Sequence, residues 1–152
     1  MRYTRKESVR MNNFLFISVK PEFSHKIFNG EKTIELRKSS PNVNIGSTVV
    51  VYSTNPDKLI IGYCKVEEII KTTPRIMWDK YASDLGIEKN DFDDYFESTE
   101  VAIGIKLGSV SKLKESITLQ SIKEIYPAFH PPQTFKYFSK KKVLKIYSKI
   151  AL

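Results

Sequence analysis

Phe28-Asn-Gly-Glu-Lys-Thr-Ile-Glu-Leu-Arg-Lys38 reads as the end of a short helix, a turn at Asn29-Gly30, and then a strand from about Glu31 to Lys38. Along that strand Thr33, Glu35 and Arg37 alternate with Ile34 and Leu36. Side chains of a strand switch faces at every residue, so Glu35 and Arg37 share one face and the apolar pair takes the other. With Lys32 beside them, these charges form either a solvated ion pair or the wall of a polar pocket. A solvated pair of this kind is worth only about 0–1 kcal/mol. On the residues alone both readings stay open.

Outward from this stretch the chain reads as strands with helices between and after them. Asn13-Phe-Leu-Phe-Ile-Ser-Val19 is continuously apolar and rich in β-formers, a buried strand that Lys20-Pro21 ends. Glu22 to Phe28 spaces Phe23, Ile27 and Phe28 as one side of a helix, which Gly30 stops. Beyond the turn-rich Ser39–Gly46 segment, Thr48–Ser53 is a strand, and Asn55-Pro-Asp57 turns it into a second over Lys58–Lys71. Gly62 inside that second strand predicts a bulge or sharp bend. Pro74 opens a helix through Trp78 to Asp84, stopped by Leu85-Gly86. Lys89–Phe96 is a further helix with Asn90 as its cap. Glu100–Ser109 returns as a strand, a further strand continues to Ser116, and Thr118–Tyr126 is a helix capped by Thr118. Pro127–Lys136 reads as a Pro- and aromatic-rich loop. From Lys140 the spacing of Val143, Ile146, Tyr147 and Ile150 predicts an amphipathic helix.

The absence of βαβ alternation, together with a helical insertion between strands, argues for an α+β fold built on a small mixed β-barrel. No repeat or linker divides the 152 residues. The expected organisation is a basic leader at 1–12, one domain at 13–138, and a lysine-rich, helical segment at 139–152 packed on it. One cysteine, Cys64, excludes an internal disulfide and fits a reducing, cytoplasmic setting. Cys64 on a bent strand reads as core. No run approaches the roughly 20 apolar residues of a bilayer span, and residues 1–10 lack the apolar stretch of a secretory signal.

The net charge of +8 is unevenly spread: residues 72–100 carry −5, and the remainder +13. A basic surface of this kind points to a polyanionic partner; the bland alternative is lysines that serve solubility. The chain has no phosphate-cradling glycine loop, no dinucleotide fingerprint, and neither the His and Cys content of a zinc cluster nor the spacing of a calcium loop. No metal or cofactor is expected. Trp78 beside an amphipathic helix reads as core, or as a stacking platform if it faces a pocket.

Ser18-Val-Lys-Pro-Glu-Phe-Ser-His-Lys-Ile-Phe-Asn-Gly-Glu-Lys-Thr-Ile-Glu-Leu-Arg37, Val51-Tyr-Ser-Thr-Asn-Pro56, Phe92-Asp-Asp-Tyr-Phe96 and Pro131-Pro-Gln-Thr-Phe135 together resemble the ASCH domain of the PUA-like superfamily. The resemblance covers about 13–138. It implies a PUA-like mixed β-barrel with helices at its ends, a two-helix insertion, and a cleft lined by the Gly-x-Lys-x-x-Glu-x-Arg stretch. It also implies RNA or a modified nucleotide as the partner, with DNA as the other nucleic acid allowed, and no membrane. Lys32 and Arg37 would then contact phosphate or base edges, and Glu35 would orient Arg37 or accept from a base amino group. Lys20, Ser53 and Thr54 would add donors, Gln133 or Phe135 would close the mouth, and Trp78 would offer a ring.

One ASCH branch hydrolyses N4-acetylcytidine with Lys, Thr and Glu. Lys32 matches that Lys, Glu35 stands at the Thr position, and the Glu position falls near Leu85. An amidohydrolase using Lys32 and Glu35 is therefore the alternative to a binding module, and a protein-interaction role for the acidic 75–97 segment is a second alternative.

Overall fold

The computed structural model describes residues 13–148, so the expected leader at 1–12 and the last residues of the lysine-rich segment lie outside the described residues. Six strands form one curled sheet, a half-barrel: β1 (Asn13–Val19), β2 (Ile34–Arg37), β3 (Thr48–Ser53), β4 (Leu59–Thr72), β5 (Ala102–Thr118) and β6 (Phe135–Ser139). Their order is β2-β5-β4-β3-β1-β6, with β1 and β3 parallel and the other pairs antiparallel. Five helices are placed around it: α1 (Pro21–Asn29), α2 (Pro74–Tyr81), α3 (Lys89–Tyr95), α4 (Leu119–Ile125) and α5 (Lys140–Tyr147). The expected α+β architecture is the one the chain forms.

Alternation along β1 and β3 explains why both look uniformly apolar. Leu15, Ile17, Val19, Val49 and Val51 face one core, shared with Ile27 of α1 and with Ile103 and Ile105 of β5. Phe16, Val50 and Tyr52 face the other, shared with Ile122 of α4 and with Val143, Ile146 and Tyr147 of α5. A third cluster sits on the outer face of β2, where Ile34 and Leu36 meet Met77, Leu85, Phe92 and Phe96 of the insertion between β4 and β5. These three clusters fix which side of β2 is left for Glu35 and Arg37: the side shared with Ile103 and Ile105.

Four sequence expectations need correction. The Lys89–Tyr95 helix is not capped by Asn90; its cap position is Glu88, with no side-chain bond to the helix. The strand at 34–37 starts later than expected, because Lys32 N–H and Thr33 N–H are drawn to the carbonyls of Lys26 and Asp84. The two strands expected over 100–116 are one, β5, bent at Ser109 with φ +47° and out of step with β4 at three points. The loop expected through Lys136 gives way at Phe135 to β6, which pairs along β1 from Asn13↔Ser139 to Ile17↔Phe135.

The bend expected at Gly62 is present as a register shift between Ile60 and Gly62. A Cβ there would collide with the Phe28 ring and the Ser111 carbonyl, so the bend needs glycine. Thr118 and Ser139 cap α4 and α5 by accepting from Ser121 N–H and Lys142 N–H.

Candidate functional site

Where β1 ends and α1 begins, a cleft of about 350 Å³ opens between β2, the insertion and the segment before β6. That volume is within the range of small-ligand sites. Its floor holds three charged side chains, Lys32, Glu35 and Arg37, exposed by only 3%, 6% and 8%. Charges are rarely buried unless paired, and here they pair with one another. Arg37 Nη2 donates to Glu35 Oε2 at 2.6 Å, and Lys32 Nζ lies 3.6 Å from Glu35 Oε1.

Each group is also held by backbone. Arg37 donates from Nη2 to the Ser18 carbonyl at 2.9 Å and from Nη1 to the Thr134 carbonyl at 3.1 Å. It thereby ties the edge strand β2 to β1 and to the residue just before β6, across the open side of the half-barrel. Its Nε–H is buried without a partner among the described residues. Lys32 Nζ donates to the Leu85 carbonyl at 2.5 Å, and Lys26 Nζ donates to the adjacent Gly86 carbonyl. Gly86, at φ +60°, lets this turn press on the Lys32 side chain, where a Cβ would come within 2.7 Å of Lys32 Cβ.

One carboxylate against two cations leaves the floor with one unit of positive charge while Lys32 is protonated. Burial pushes the Lys32 ammonium below its ordinary pKa, while Glu35 acts in the opposite direction. The floor therefore attracts an anion or a row of acceptors, and its lysine gives up a proton more readily than a solvated one.

The walls are mixed. Phe23 and Ile87 are apolar, and Ser18, Lys20, Thr54, Gln133 and Thr134 are polar. Of the residues singled out from sequence, Lys20, Lys32, Glu35, Arg37, Thr54 and Gln133 line this one cleft. Ser53 lies below it, fully buried, bonded to Ser24 Oγ and donating to Asp57. Trp78 packs on Phe92 at 5.1 Å between ring centroids, within the insertion cluster. Phe135 packs against the first core and stands edge-on to Tyr137.

Tyr95 was missed. It reads as part of an apolar helix face with Phe92 and Phe96, yet it lines the cleft with 37% of its surface exposed. Its hydroxyl is directed to the Leu36 carbonyl at 3.4 Å, and Lys38 Nζ lies 4.9 Å from its ring centre. Its position as the last residue of α3 is the signal: the ring projects past the helix toward β2.

Among the described residues no group of three or more His, Cys, Asp or Glu could hold a metal ion, and no helix is long and apolar enough to cross a membrane. Cys64 is fully buried, its thiol pushed up to about 12 by burial and by Glu35.

A family model for the ASCH domain matches residues 17–129. An ASCH domain-containing ribonuclease from Zymomonas mobilis is 32% identical over 144 residues, which is 95% of this chain and 92% of that protein. The crystal structure of ASCH from Zymomonas mobilis superposes with a TM-score of 0.83 at 31% identity, over 88% of this chain and 93% of that one. A hypothetical protein from Leishmania major has the same fold, with a TM-score of 0.56 at 11% identity over 91% of this chain and 94% of that one.

Proposed function

The chain belongs to the ASCH domain family, and from that premise we propose that it is an RNA-binding protein whose cleft holds one nucleotide of a single strand. The observation that carries this reading is the buried Lys32–Glu35–Arg37 floor beneath a nucleotide-sized cavity. A positively charged floor suits phosphate or the acceptor edge of a base. Glu35 offers the one carboxylate that a base amino group can donate to. Tyr95 at the mouth gives a face on which a base stacks. Lys20 and Lys38 add backbone contacts that depend on salt rather than on sequence.

A second reading, RNA cleavage in the same cleft, is favoured by the relative from Zymomonas mobilis that is called a ribonuclease. In this reading neutral Lys32 takes the proton of a ribose 2′-hydroxyl while that oxygen attacks the adjacent phosphorus. Arg37 offsets the charge gathering on the phosphate. The 5′-oxygen leaves with a proton from water, and the upstream fragment ends in a 2′,3′-cyclic phosphate. Hydrolysis of an acylated nucleoside, with Lys32 and Glu35 in catalysis, is a separate alternative, since it breaks an amide rather than a phosphodiester bond.

The test uses a fluorescent single-stranded RNA followed by anisotropy and by gel. Lys20→Ala and Gln133→Ala, both at the exposed rim, are expected to weaken binding about 3–10-fold each with the thermal midpoint unchanged. Equal affinity of these variants and the parent would refute cleft binding. Cleavage is supported by cyclic-phosphate ends that appear with the parent and vanish with Lys32→Met. Intact RNA after long incubation rules it out and leaves binding. Release of cytidine from N4-acetylcytidine tests the acyl-hydrolase alternative.

A further inference from the structure

We infer that an RNA strand leaves the Lys32 cleft across the acid-free rim between β2 and β6, where the ring of Tyr137 carries a flanking base. This path rests on the RNA reading proposed above.

Two cross-ties frame the rim. At the cleft, Arg37 Nη1 donates to the Thr134 carbonyl at 3.1 Å, joining the end of β2 to the residue before β6. Farther out, the Asn42 N–H donates to Tyr137 Oη at 2.6 Å. The segments 37–42 and 134–137 therefore run outward from the cleft together. A strand rises about 3.3 Å per residue, so Tyr137 stands about 10 Å along β6 from Thr134. In the ladder Tyr137 pairs with Leu15, and Phe135 with Ile17, two residues of the first core. Tyr137 is thus on the same face of the sheet as Glu35 and Arg37.

The ring is exposed and held at once. Tyr137 is 40% exposed, yet Asn42 fixes its hydroxyl, and Phe135 stands edge-on to it with 6.0 Å between ring centroids. Phe135 is packed against the first core in turn. An aromatic ring ordered in advance loses little freedom when a base stacks on it, and any base offers a face for such stacking.

Charge sets the direction. Residues 38–48 and 125–148 contain no Asp or Glu, and Lys38 and Lys136 are exposed on the two segments of the rim. The insertion, which supplies another wall of the cleft through Ile87 and Tyr95, carries −5 over residues 72–100. A polyanion is drawn over the first and repelled by the second. The bases of a single strand are free to stack in this way, whereas those of a duplex are not.

The test uses a uridine hexamer carrying thiouridine, with its photo-cross-links to the parent chain mapped by mass spectrometry, and UMP as a probe of the cleft alone. Cross-links within 133–137 or 38–42 support the path, and cross-links confined to 72–100 overturn it. Tyr137→Ala is expected to weaken hexamer binding about 5-fold or more, while UMP binding and the thermal midpoint hold. Tyr137→Phe keeps the ring and is expected to stay within about 2-fold of the parent. Unchanged hexamer affinity in Tyr137→Ala overturns the platform; if Lys20→Ala and Gln133→Ala still weaken binding, the cleft reading stands without it. A loss in Tyr137→Ala with no loss in Lys20→Ala and Gln133→Ala does the reverse, refuting the cleft and keeping the platform.

Discussion

Replacing Glu35 by Gln changes almost no volume and removes one charge, which makes it a direct probe of the cleft floor. Glu35 faces two cations, Lys32 at 3.6 Å and Arg37 at 2.6 Å, and all three side chains are at most 9% exposed. At an effective dielectric near 20, the attractions to Lys32 and Arg37 are about 5 and about 6 kcal/mol before desolvation is counted. Desolvation of the two cations persists in the variant, so the loss is not returned by re-solvation. Removal of one partner from a buried ionic cluster typically costs about 3–5 kcal/mol. For a domain of this size that is a fall of roughly 6–20 °C in the thermal midpoint. Urea unfolding followed by Trp78 fluorescence and by circular dichroism measures it. The double variant Lys32→Met, Glu35→Gln is expected to recover part of the loss, with a coupling of about 1–3 kcal/mol. A Glu35→Gln protein within about 0.5 kcal/mol of the parent would refute the claim that this carboxylate holds the floor together.

Arg37→Lys is expected to destabilise by about 2–4 kcal/mol, because a lysine cannot span the Glu35, Ser18 and Thr134 oxygens at once; the same denaturation assay checks it. Gly62→Ala is expected to cost about 1–3 kcal/mol, since the Ser111 carbonyl is backbone and cannot step aside. Stability of the parent is expected to gain a favourable increment as pH rises from the lowered Lys32 value toward 10.5, because there the unfolded chain binds more protons than the folded one. Below both values the slope from this group vanishes, and Lys32→Met should remove the increment; urea midpoints between pH 7 and 10 decide. RNA affinity plotted against salt on logarithmic axes should fall with a slope of about −0.7 per phosphate neutralised, and a flat line would remove the role given to the lysines.

The polar face of β2 was legible because alternation is local: Glu35 and Arg37 had to share a side whichever sheet they joined. What that side met was not local. Lys32 reaches its place through Leu85, 53 residues away, and no spacing rule relates the two. Ser53 was offered as a cleft donor by the family resemblance, but Ser24 and Asp57 take both of its hydrogen-bonding roles inside. Trp78 took the core place first read for it, because the insertion packs its own aromatic cluster, and the ring at the helix end, Tyr95, is the one left to the mouth. β6 escaped notice because only Phe135, Tyr137 and Phe138 of its five residues are β-formers and it follows prolines. Only its pairing with β1 makes it a strand.

The turn at Leu85-Gly86 has an implication for how this domain can be trimmed. The insertion between β4 and β5 resembles an accessory lobe, the sort of segment removed to reach a minimal scaffold. Yet two of its carbonyls receive the ammonium groups of Lys26 and Lys32. Excision would strip the floor of the Leu85 carbonyl, which Lys32 uses, and the cleft wall of Ile87 and Tyr95. The lobe and the cleft are one module, so a minimal scaffold of this domain has to keep both.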